Sequence, residues 1–423
     1  MTVAGFYGDD FTGSVDALLQ FRRAGLSGVL VTGPAVELDG ERTDVVGIAG
    51  TARSMPTEQM AAEVVPALRR LQALGPRIVQ YKACSTADSA PHTGSIGRVL
   101  ELAIELFPGA PVPIVFAQPD AGRYTVFGHH FARDDGVVYR LDRQPTMSAH
   151  PVTPVHESDL RLHLAEQTAL ELGSLQWTSY DGPLVMDADE PGVVCDAVSD
   201  DHLDRLAQAI LESRQRFVIG SGGISGAIGR CADVAKRLPP LTTEAAKASG
   251  PTLVLNGSRS RLTRRQVDAA VAAGWLVLDL FAKETPDRVQ TALARGSGVL
   301  VDSSVGRRTV PSAEVEDRLA AIADTSLQQR STDGPVRLVL SGGDTSGNVL
   351  RRLGAERLRI VAQPWGNVAL CHASGPAPHL QNVELVLKGG QMGHVSLFDD
   401  IRLGRPSKEA ACSPTPVPAL THE

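Results

Sequence analysis

The chain is 423 residues long, 43% apolar and 21% charged, which leaves room for two or perhaps three domains, each with its own core. Its 41 basic and 48 acidic residues give a net charge of −7, which excludes a global basic field recruiting nucleic acid but not a local field for an anionic substrate. Five cysteines without a CxxC pair argue against a disulfide framework or a cysteine zinc site, and no run of 18 apolar residues predicts a membrane span.

The N-terminus opens directly on a strand-like run, Val3–Tyr7, with no basic leader, so a reduced, cytoplasmic setting is expected. That strand delivers Gly8-Asp9-Asp10, and an amphipathic helix follows over Ser14–Ala24. Ligands of open α/β sheets bind at such strand ends. Asp9 and Asp10 could accept a substrate hydroxyl, act as base or hold a metal; two adjacent acids exceed the need of one helix cap. Gly28–Thr32 and Asp44–Ala49 read as the next strands, and Arg53 just beyond them suits a carboxylate. A helix over Met60–Leu74 and a strand over Arg77–Tyr81 lead into a dense polar run. In it Lys82 supplies charge, while Ser85, Asp88 and Ser89 supply hydroxyl partners, as a polyhydroxylated anion requires. Cys84 reads as a small neutral filler.

Beyond a helix at Val99–Leu106 and a strand at Val112–Ala117 come Gly122-Arg123-Tyr124 and the pair His129-His130. Neighbouring histidines cannot easily share one ion, so no metal is read there. The proline-rich segment 140–154 reads as a loop or lid with no part in a core. Helices are expected at Asp159–Leu172 and Asp201–Ser213, and strands at Gly182–Ala188 and Arg216–Ile219, the last entering a Gly-Ser turn at 220–226. Residues 237–249 form the linker between a first domain, 1–236, and a second, 250–405; residues 406–423 are a Pro/Ser-rich tail expected to be flexible.

The second half repeats the device of strand, Gly-Ser turn and helix. Thr252–Leu255 leads to Gly257-Ser258 and a helix at Thr263–Ala273; strands follow at Trp275–Leu280 and Gly298–Asp302, with a helix at Ser312–Ser326. Val336–Leu340 then delivers Ser341-Gly342-Gly343-Asp344-Thr345-Ser346-Gly347, with a helix expected from Asn348. Backbone N–H groups and a helix start can converge there on a phosphate, and Asp344 adds a metal contact. Val383–Leu387 delivers a second turn, Lys388-Gly389-Gly390. Neither turn is GxxxxGK[ST] or GxGxxG, so the spacing says anion loop without naming the nucleotide. The fold class expected is α/β, two domains each with a mostly parallel sheet flanked by helices.

GDDFTG, YKACSTADS with GSIG, HPVTP, GS at 257, SGGDTSG and VLKGGQMG stand in the order and spacing of a known family. Across nearly its whole length the chain resembles the four-carbon acid sugar kinases, which phosphorylate threonate, erythronate or 3-oxo-tetronate on the 4-hydroxyl with ATP. The resemblance implies an N-terminal sugar-acid domain, a C-terminal domain for ATP and Mg²⁺, and an active site in the cleft between them. It places Asp10, Arg53, Lys82, Asp88 and Arg123 on the acid side, and Ser258, Gly342, Gly343, Asp344, Thr345, Gly389 and Gly390 on the nucleotide side. Departures at 90–93, 117–120 and 363–371 leave the exact acid open.

On this reading Lys82, Arg53 and Arg123 hold the substrate carboxylate; Asp10 accepts or orients the 4-hydroxyl, with Asp88 as its alternate; Asp344 touches Mg²⁺; Lys388 pairs with phosphate. The partner expected is a small sugar acid, with no nucleic acid and no membrane, and a homodimer is left open. Two rivals are kept. A sugar-acid dehydrogenase or epimerase would need a GxGxxG turn that no strand supplies, and a non-catalytic small-acid-binding protein would bind without turnover.

Overall fold

The computed structural model describes residues 2–38, 42–184, 189–235, 237–244, 248, 250–305, 310–328 and 334–407, apart from the Asp344 side chain. The chain divides into two compact units, Met1–Pro240 with Glu356–Arg359, and Leu241–Ala355 with Ile360–Glu423. The division between Pro240 and Leu241 falls inside the expected linker.

In the first unit the elements run β1 (Ala4–Gly8), α1 (Phe11–Arg23), β2 (Gly28–Val31), β3 (Val45–Ala49), α2 (Met60–Ala73), β4 (Ile78–Lys82), α3 (Ile96–Leu106) and β5 (Val112–Val115). They continue as β6 (Arg123–Val126), β7 (His129–Asp134), β8 (Val137–Arg140), α4 (Leu160–Ala165), β9 (Leu172–Leu175), β10 (Gly192–Cys195), α5 (Asp200–Glu212), β11 (Phe217–Gly220) and α6 (Gly222–Cys231). The main sheet has the order β2-β3-β1-β4-β11-β5-β10-β9, every pair parallel. Arg357 and Leu358 pair antiparallel with β2. Parallel strands covered on both faces should be apolar throughout, and β1, β3 and β4 are buried at every position. The core packs Tyr7, Val46, Ile48 and Tyr81 of the strands against Leu68 and Leu71 of α2 and Leu100 of α3. Strands β6, β7 and β8 form a separate antiparallel sheet.

The second unit runs β12 (Thr252–Asn256), α7 (Arg261–Ala272), β13 (Leu276–Asp279), α8 (Thr285–Ala294), β14 (Val299–Asp302), α9 (Ser312–Gln328), β15 (Val336–Ser341), α10 (Gly343–Arg352), β16 (Arg357–Trp365, its first three residues in the first unit), β17 (Val368–Ser374), β18 (Val383–Lys388) and α11 (Leu397–Leu403). Strands β13-β14-β12-β15-β18 are parallel, and β17 adds to β18 antiparallel. Its core gathers Val254, Leu300, Val339, Trp365, Val386 and Phe398.

Four expectations change. The helix read at Asp159–Leu172 stops at Ala165; beyond it the Gln167 side-chain oxygen accepts from the N–H groups of Ile96 and Gly97, and Leu172–Leu175 pairs with β10 as an edge strand. The strand read at Gly182–Ala188 is not formed over 182–184, and residues 185–188 lie outside the described residues. The segment 140–154 is no bare lid: Leu141 and Met147 are buried with Ala132 and Val155 in a small core of their own. The helix expected from Asn348 begins five residues earlier, at Gly343, so the glycine loop is itself the first helical turn. Of the tail, residues 408–423 lie outside the described residues.

In each parallel sheet the chain crosses from one side of its first strand to the other. In the first unit β3 lies on one side of β1 and β4 on the other. In the second, β14 lies on one side of β12 and β15 on the other. Crevices form at the carboxyl ends of strands at such points.

Candidate active site

At the first switch point β1 ends at Gly8, in register with Lys82 at the end of β4, and Asp9 and Asp10 follow at once, the Asp9 N–H donating to the Lys82 carbonyl at 3.0 Å. Asp10 caps α1: its Oδ1 accepts from the Gly13 N–H at 2.8 Å, and its Oδ2 from the Thr12 hydroxyl at 2.9 Å. The cap does not exhaust it. Arg53, on the single helical turn after β3, donates to Asp9 from Nε at 3.1 Å and from a terminal nitrogen at 2.6 Å, and the same nitrogen donates to Asp10 at 2.8 Å. Lys82 is 2% exposed; its Nζ donates to the Ala83 carbonyl at 3.0 Å and faces Asp16 Oδ2 at 3.6 Å.

Gly13 marks where these charges converge. A Cβ there would meet Asp10 Oδ1 at 2.3 Å, Lys82 Nζ at 3.3 Å and Arg53 at 3.4 Å, so a side chain at 13 would collide with the cluster. Burial pushes the Asp10 carboxyl up, but the charges of Arg53 and Lys82 and the bonds from Thr12 and Gly13 outweigh it and hold it below the usual range. Burial also raises Asp9, and there Arg53 does not fully cancel it. The Arg53 guanidinium, flanked by two carboxylates, is raised well above its ordinary value in spite of its own burial. Asp10 is therefore a firmly ionised acceptor, and Asp9 a buried anchor for Arg53.

The loop after β4 brings in the next group. Asp88 takes the Thr153 hydroxyl on Oδ1, with His150 Nδ1 at 4.0 Å, so the sequence segments around 88 and 150 meet. The Ser85 carbonyl accepts from His130 at 2.7 Å. The Ser89 hydroxyl is committed inward, donating to the Ala87 carbonyl at 2.9 Å and accepting from Gln167 at 2.9 Å. Arg123 opens β6; one of its terminal nitrogens donates to the Ala121 carbonyl, and its buried Nε has no partner among the described residues. Burial lowers the Arg123 guanidinium, and the Cys84 thiol lies within electrostatic reach of both Arg123 and Arg53.

At the second switch point the polar ends of four strands stand in register: Asp302 beside Asn256, Asn256 beside Ser341, Ser341 beside Lys388. Gly342 holds φ 119°, a value that only glycine adopts easily, and it caps α10 without any side chain. The first N–H groups of that helix are thus left for a ligand, with the positive end of its dipole behind them. Asn256 Oδ1 accepts the Ser258 N–H at 3.1 Å, and a Cβ on Gly390 would fall 2.7 Å from Ser258 Oγ. A Cβ on Gly257 would fall 2.1 Å from Thr345 Oγ1. Ser258, Gly342, Thr345 and Gly390 therefore lie close together. Ser341 and Lys388 form the floor of this cradle: Lys388 Nζ, fully buried, donates to Thr263 Oγ1 at 2.8 Å and to the Gly389 carbonyl at 3.0 Å, and stands 3.4 Å from Ser341 Oγ. With no carboxylate among these partners, burial pushes its ammonium down to about 7.

Sequence reasoning missed Asp16, Asn256, Asp302, His130 and Thr153. Asp302 accepts from Asn256 Nδ2 at 2.8 Å and from the Ser304 hydroxyl at 2.7 Å, and so stiffens the Ser258 turn. The end of β14 in a strand–turn–helix unit was the available signal. The metal expectation rests on Asp344, whose side chain lies outside the described residues. Among the described residues no group of three His, Cys, Asp or Glu is placed to hold a metal ion, and no helix is long and apolar enough to cross a membrane.

Residues 4–228 match the family model described as a sugar-binding N-terminal domain, and residues 253–398 the model described as a nucleotide-binding C-terminal domain. A 3-oxo-isoapionate kinase of Paraburkholderia graminis is 36% identical to this chain, covering 95% of it and 94% of the relative. A 3-oxo-tetronate kinase of Pseudomonas savastanoi pv. phaseolicola is 30% identical, covering 93% and 95%. A crystal structure from Salmonella typhimurium has a TM-score of 0.75 at 24% identity, covering 94% of this chain and 98% of that one, a likeness that bears on the fold alone.

Proposed function

The chain belongs to the four-carbon acid sugar kinase family, and from that premise we propose that it transfers the γ-phosphate of ATP to the 4-hydroxyl of a four-carbon sugar acid. It is a small-molecule kinase that acts on a sugar acid and uses ATP. The substrates named for its relatives, 3-oxo-isoapionate and 3-oxo-tetronate, make a 3-oxo acid the first acceptor to try, ahead of threonate and erythronate.

One observation carries the reading: beside Gly13 a carboxylate held ionised, a lysine and an arginine converge within 3.4 Å of one point. Cations bind the acid's carboxylate, and the carboxylate of Asp10 accepts a hydrogen bond from the hydroxyl to be phosphorylated. Lys82 and Arg53 supply the charge, with Arg123 as the third cation. Because its carboxyl is held low, Asp10 serves better to aim the hydroxyl than to strip its proton early. A loose phosphoryl transition state asks for that: oxygens in line and charge neutralised at the γ-phosphate, more than a strong base. Asp88, tied to Thr153, shapes the loop beside the acid.

For the nucleotide, Gly343–Thr345 offer backbone N–H groups to the phosphates, while the Gly342 N–H is held by the Lys388 carbonyl at 3.0 Å; Ser258 and Gly389–Gly390 close the other side, and Lys388 with Ser341 supports them from below. The glycine cradle and the uncapped helix fit a polyphosphate. Magnesium would supply charge neutralisation at the β- and γ-phosphates, held mainly by the phosphates and water as is usual for this ion, with Asp344 as the protein contact.

ADP release measured with 3-oxo-isoapionate, 3-oxo-tetronate, threonate and erythronate tests the proposal. Turnover of at least one, with phosphate on the 4-hydroxyl by NMR, is expected. Binding without ADP release would favour the small-acid-binding alternative, and turnover that needs NAD the dehydrogenase.

A further inference from the structure

The small sheet β6–β7–β8 already supplies Arg123 from β6, and a second of its side chains, on β7, reaches the segment after Lys82. His130 on β7 is fully buried. Its Nε2 lies 2.7 Å from the Ser85 carbonyl oxygen and its Nδ1 2.9 Å from Thr125 Oγ1. A carbonyl only accepts, so Nε2 carries the proton and Nδ1 accepts from the Thr125 hydroxyl. Burial pushes the imidazole down to about 4, which leaves it neutral near pH 7. The ring also packs edge-on against Phe116, centroids 6.5 Å apart, and the backbone N–H of His130 donates to the Ser158 carbonyl at 2.8 Å. Both ring nitrogens are thus engaged and the ring is packed against Phe116.

The loop it grips needs holding. Ala87 has φ 48°, a strained conformation for a residue with a Cβ. The far end of the loop is tied by Asp88 to Thr153 and by Ser89 to Gln167. On the Lys82 side, the His130–Ser85 bond is the one tie from a side chain outside the loop among the described residues. Cys84, next to Ser85, sits within electrostatic reach of Arg53 and Arg123.

We infer that His130 is a positioning residue for the sugar acid: its Nε2–H pins the Ser85 carbonyl and so sets where the 84–88 loop stands beside Lys82, Arg53 and Arg123. This rests on the reading of that loop as part of the acid site. It also gives the small sheet a task, since β7 carries the pin.

H130Q and H130N separate positioning from packing. A glutamine amide nitrogen reaches roughly the place of Nε2 and still donates to Ser85, whereas an asparagine amide reaches only the place of Nδ1. Steady-state kinetics with the acid that the wild type phosphorylates, varied at saturating ATP and the reverse, gives both KM values and kcat. H130N is expected to raise the KM for the acid about tenfold, the size of one lost buried hydrogen bond, with the KM for ATP unchanged. H130Q should recover most of that loss. Thr125→Val, which removes only the partner of Nδ1, should give a smaller rise in the same constant, and it decides the matter if H130N does not fold. An unchanged acid KM in H130N (or, in that event, in T125V), H130Q as poor as H130N, or acid and ATP constants rising together would overturn the inference and leave the kinase reading standing. A wild-type protein that phosphorylates none of the acids would overturn both.

Discussion

Arg53→Met takes away the guanidinium that holds Asp9 through two bonds and Asp10 through a third, and leaves two carboxylates side by side in the interior. The side chains are 2% exposed for Asp9, 10% for Asp10 and 21% for Arg53. Removing one member of a buried pair costs about 3–5 kcal/mol, because the charge left behind has neither partner nor water. The partial exposure of Arg53 places the expectation at the lower end, about 3 kcal/mol. For a unit of this size that corresponds to a fall in Tm of about 6–12 °C. Tyr7 and Tyr81 stack with ring centroids 5.6 Å apart at the base of the site, so near-UV circular dichroism of the tyrosines reports this unit's unfolding. The loss should also depend on pH. Burial already raises the Asp9 carboxyl, with Arg53 opposing; in the variant it rises further above its unfolded value. A carboxyl raised by folding favours the folded state only while protonated, below the unfolded value, and that contribution is lost as pH rises through the folded one. The deficit of R53M against the wild type should therefore shrink as pH is lowered from 8 towards 5. A loss under about 1 kcal/mol, or one equal at both ends of that range, would refute the account of Arg53 as the holder of two interior charges.

Asp10→Asn keeps an oxygen to cap α1 but gives up the charge that Arg53 and Lys82 stabilise, so the melting temperature should fall while the fold is kept, kcat falls by about 10²–10⁴ and ATP binding by calorimetry stays near normal; an active D10N ends the assignment. Gly257→Ala pushes a methyl group to within 2.1 Å of Thr345 Oγ1, which should cost about 1–3 kcal/mol of nucleotide affinity while acid binding is untouched. Unchanged ATP affinity in G257A would remove Gly257 from the cradle. Lys388, at about 7 without ligand, should rise when a polyphosphate arrives. ATP binding should then take up protons near pH 7–8 and weaken as pH rises through that range. Calorimetry in two buffers of different ionisation enthalpy measures the uptake, K388M should abolish it, and no uptake in the wild type would place the phosphates elsewhere.

Much of the site was legible because its backbone demands leave glycines and its strand ends leave polar residues. Gly342 and Gly257 stand out in the sequence for the reason they matter in three dimensions: the backbone of Gly342 has a φ of 119° that a side chain resists, and a Cβ on Gly257 has no place. Asp9-Asp10 and Lys82 follow apolar runs directly, and the strand period assigns them to carboxyl ends. What escaped is what depends on a partner far along the chain. His130 looked like half of a pair, yet alternation along β7 sends its neighbour His129 to Ser158 instead, at 2.9 Å. Thr153 gains meaning only beside Asp88, 65 positions earlier. The helix read through residue 172 failed for a tertiary reason, since Leu172–Leu175 found a strand edge to join.

The position of β11 bears on how the protein is made. It lies between β4 and β5, yet leaves the ribosome long after both: Phe217 follows Val115 by 102 residues (217 − 115). At about 5–20 residues per second the nascent chain waits on the order of 5–20 s with a gap in the middle of its first sheet. During that interval β4 and β5 present bare, apolar, unpaired edges, the kind that invite association between neighbouring chains. Slow translation or a scarcity of chaperones should thus aggregate this protein through its amino-terminal half, before any residue of the nucleotide-binding half has emerged.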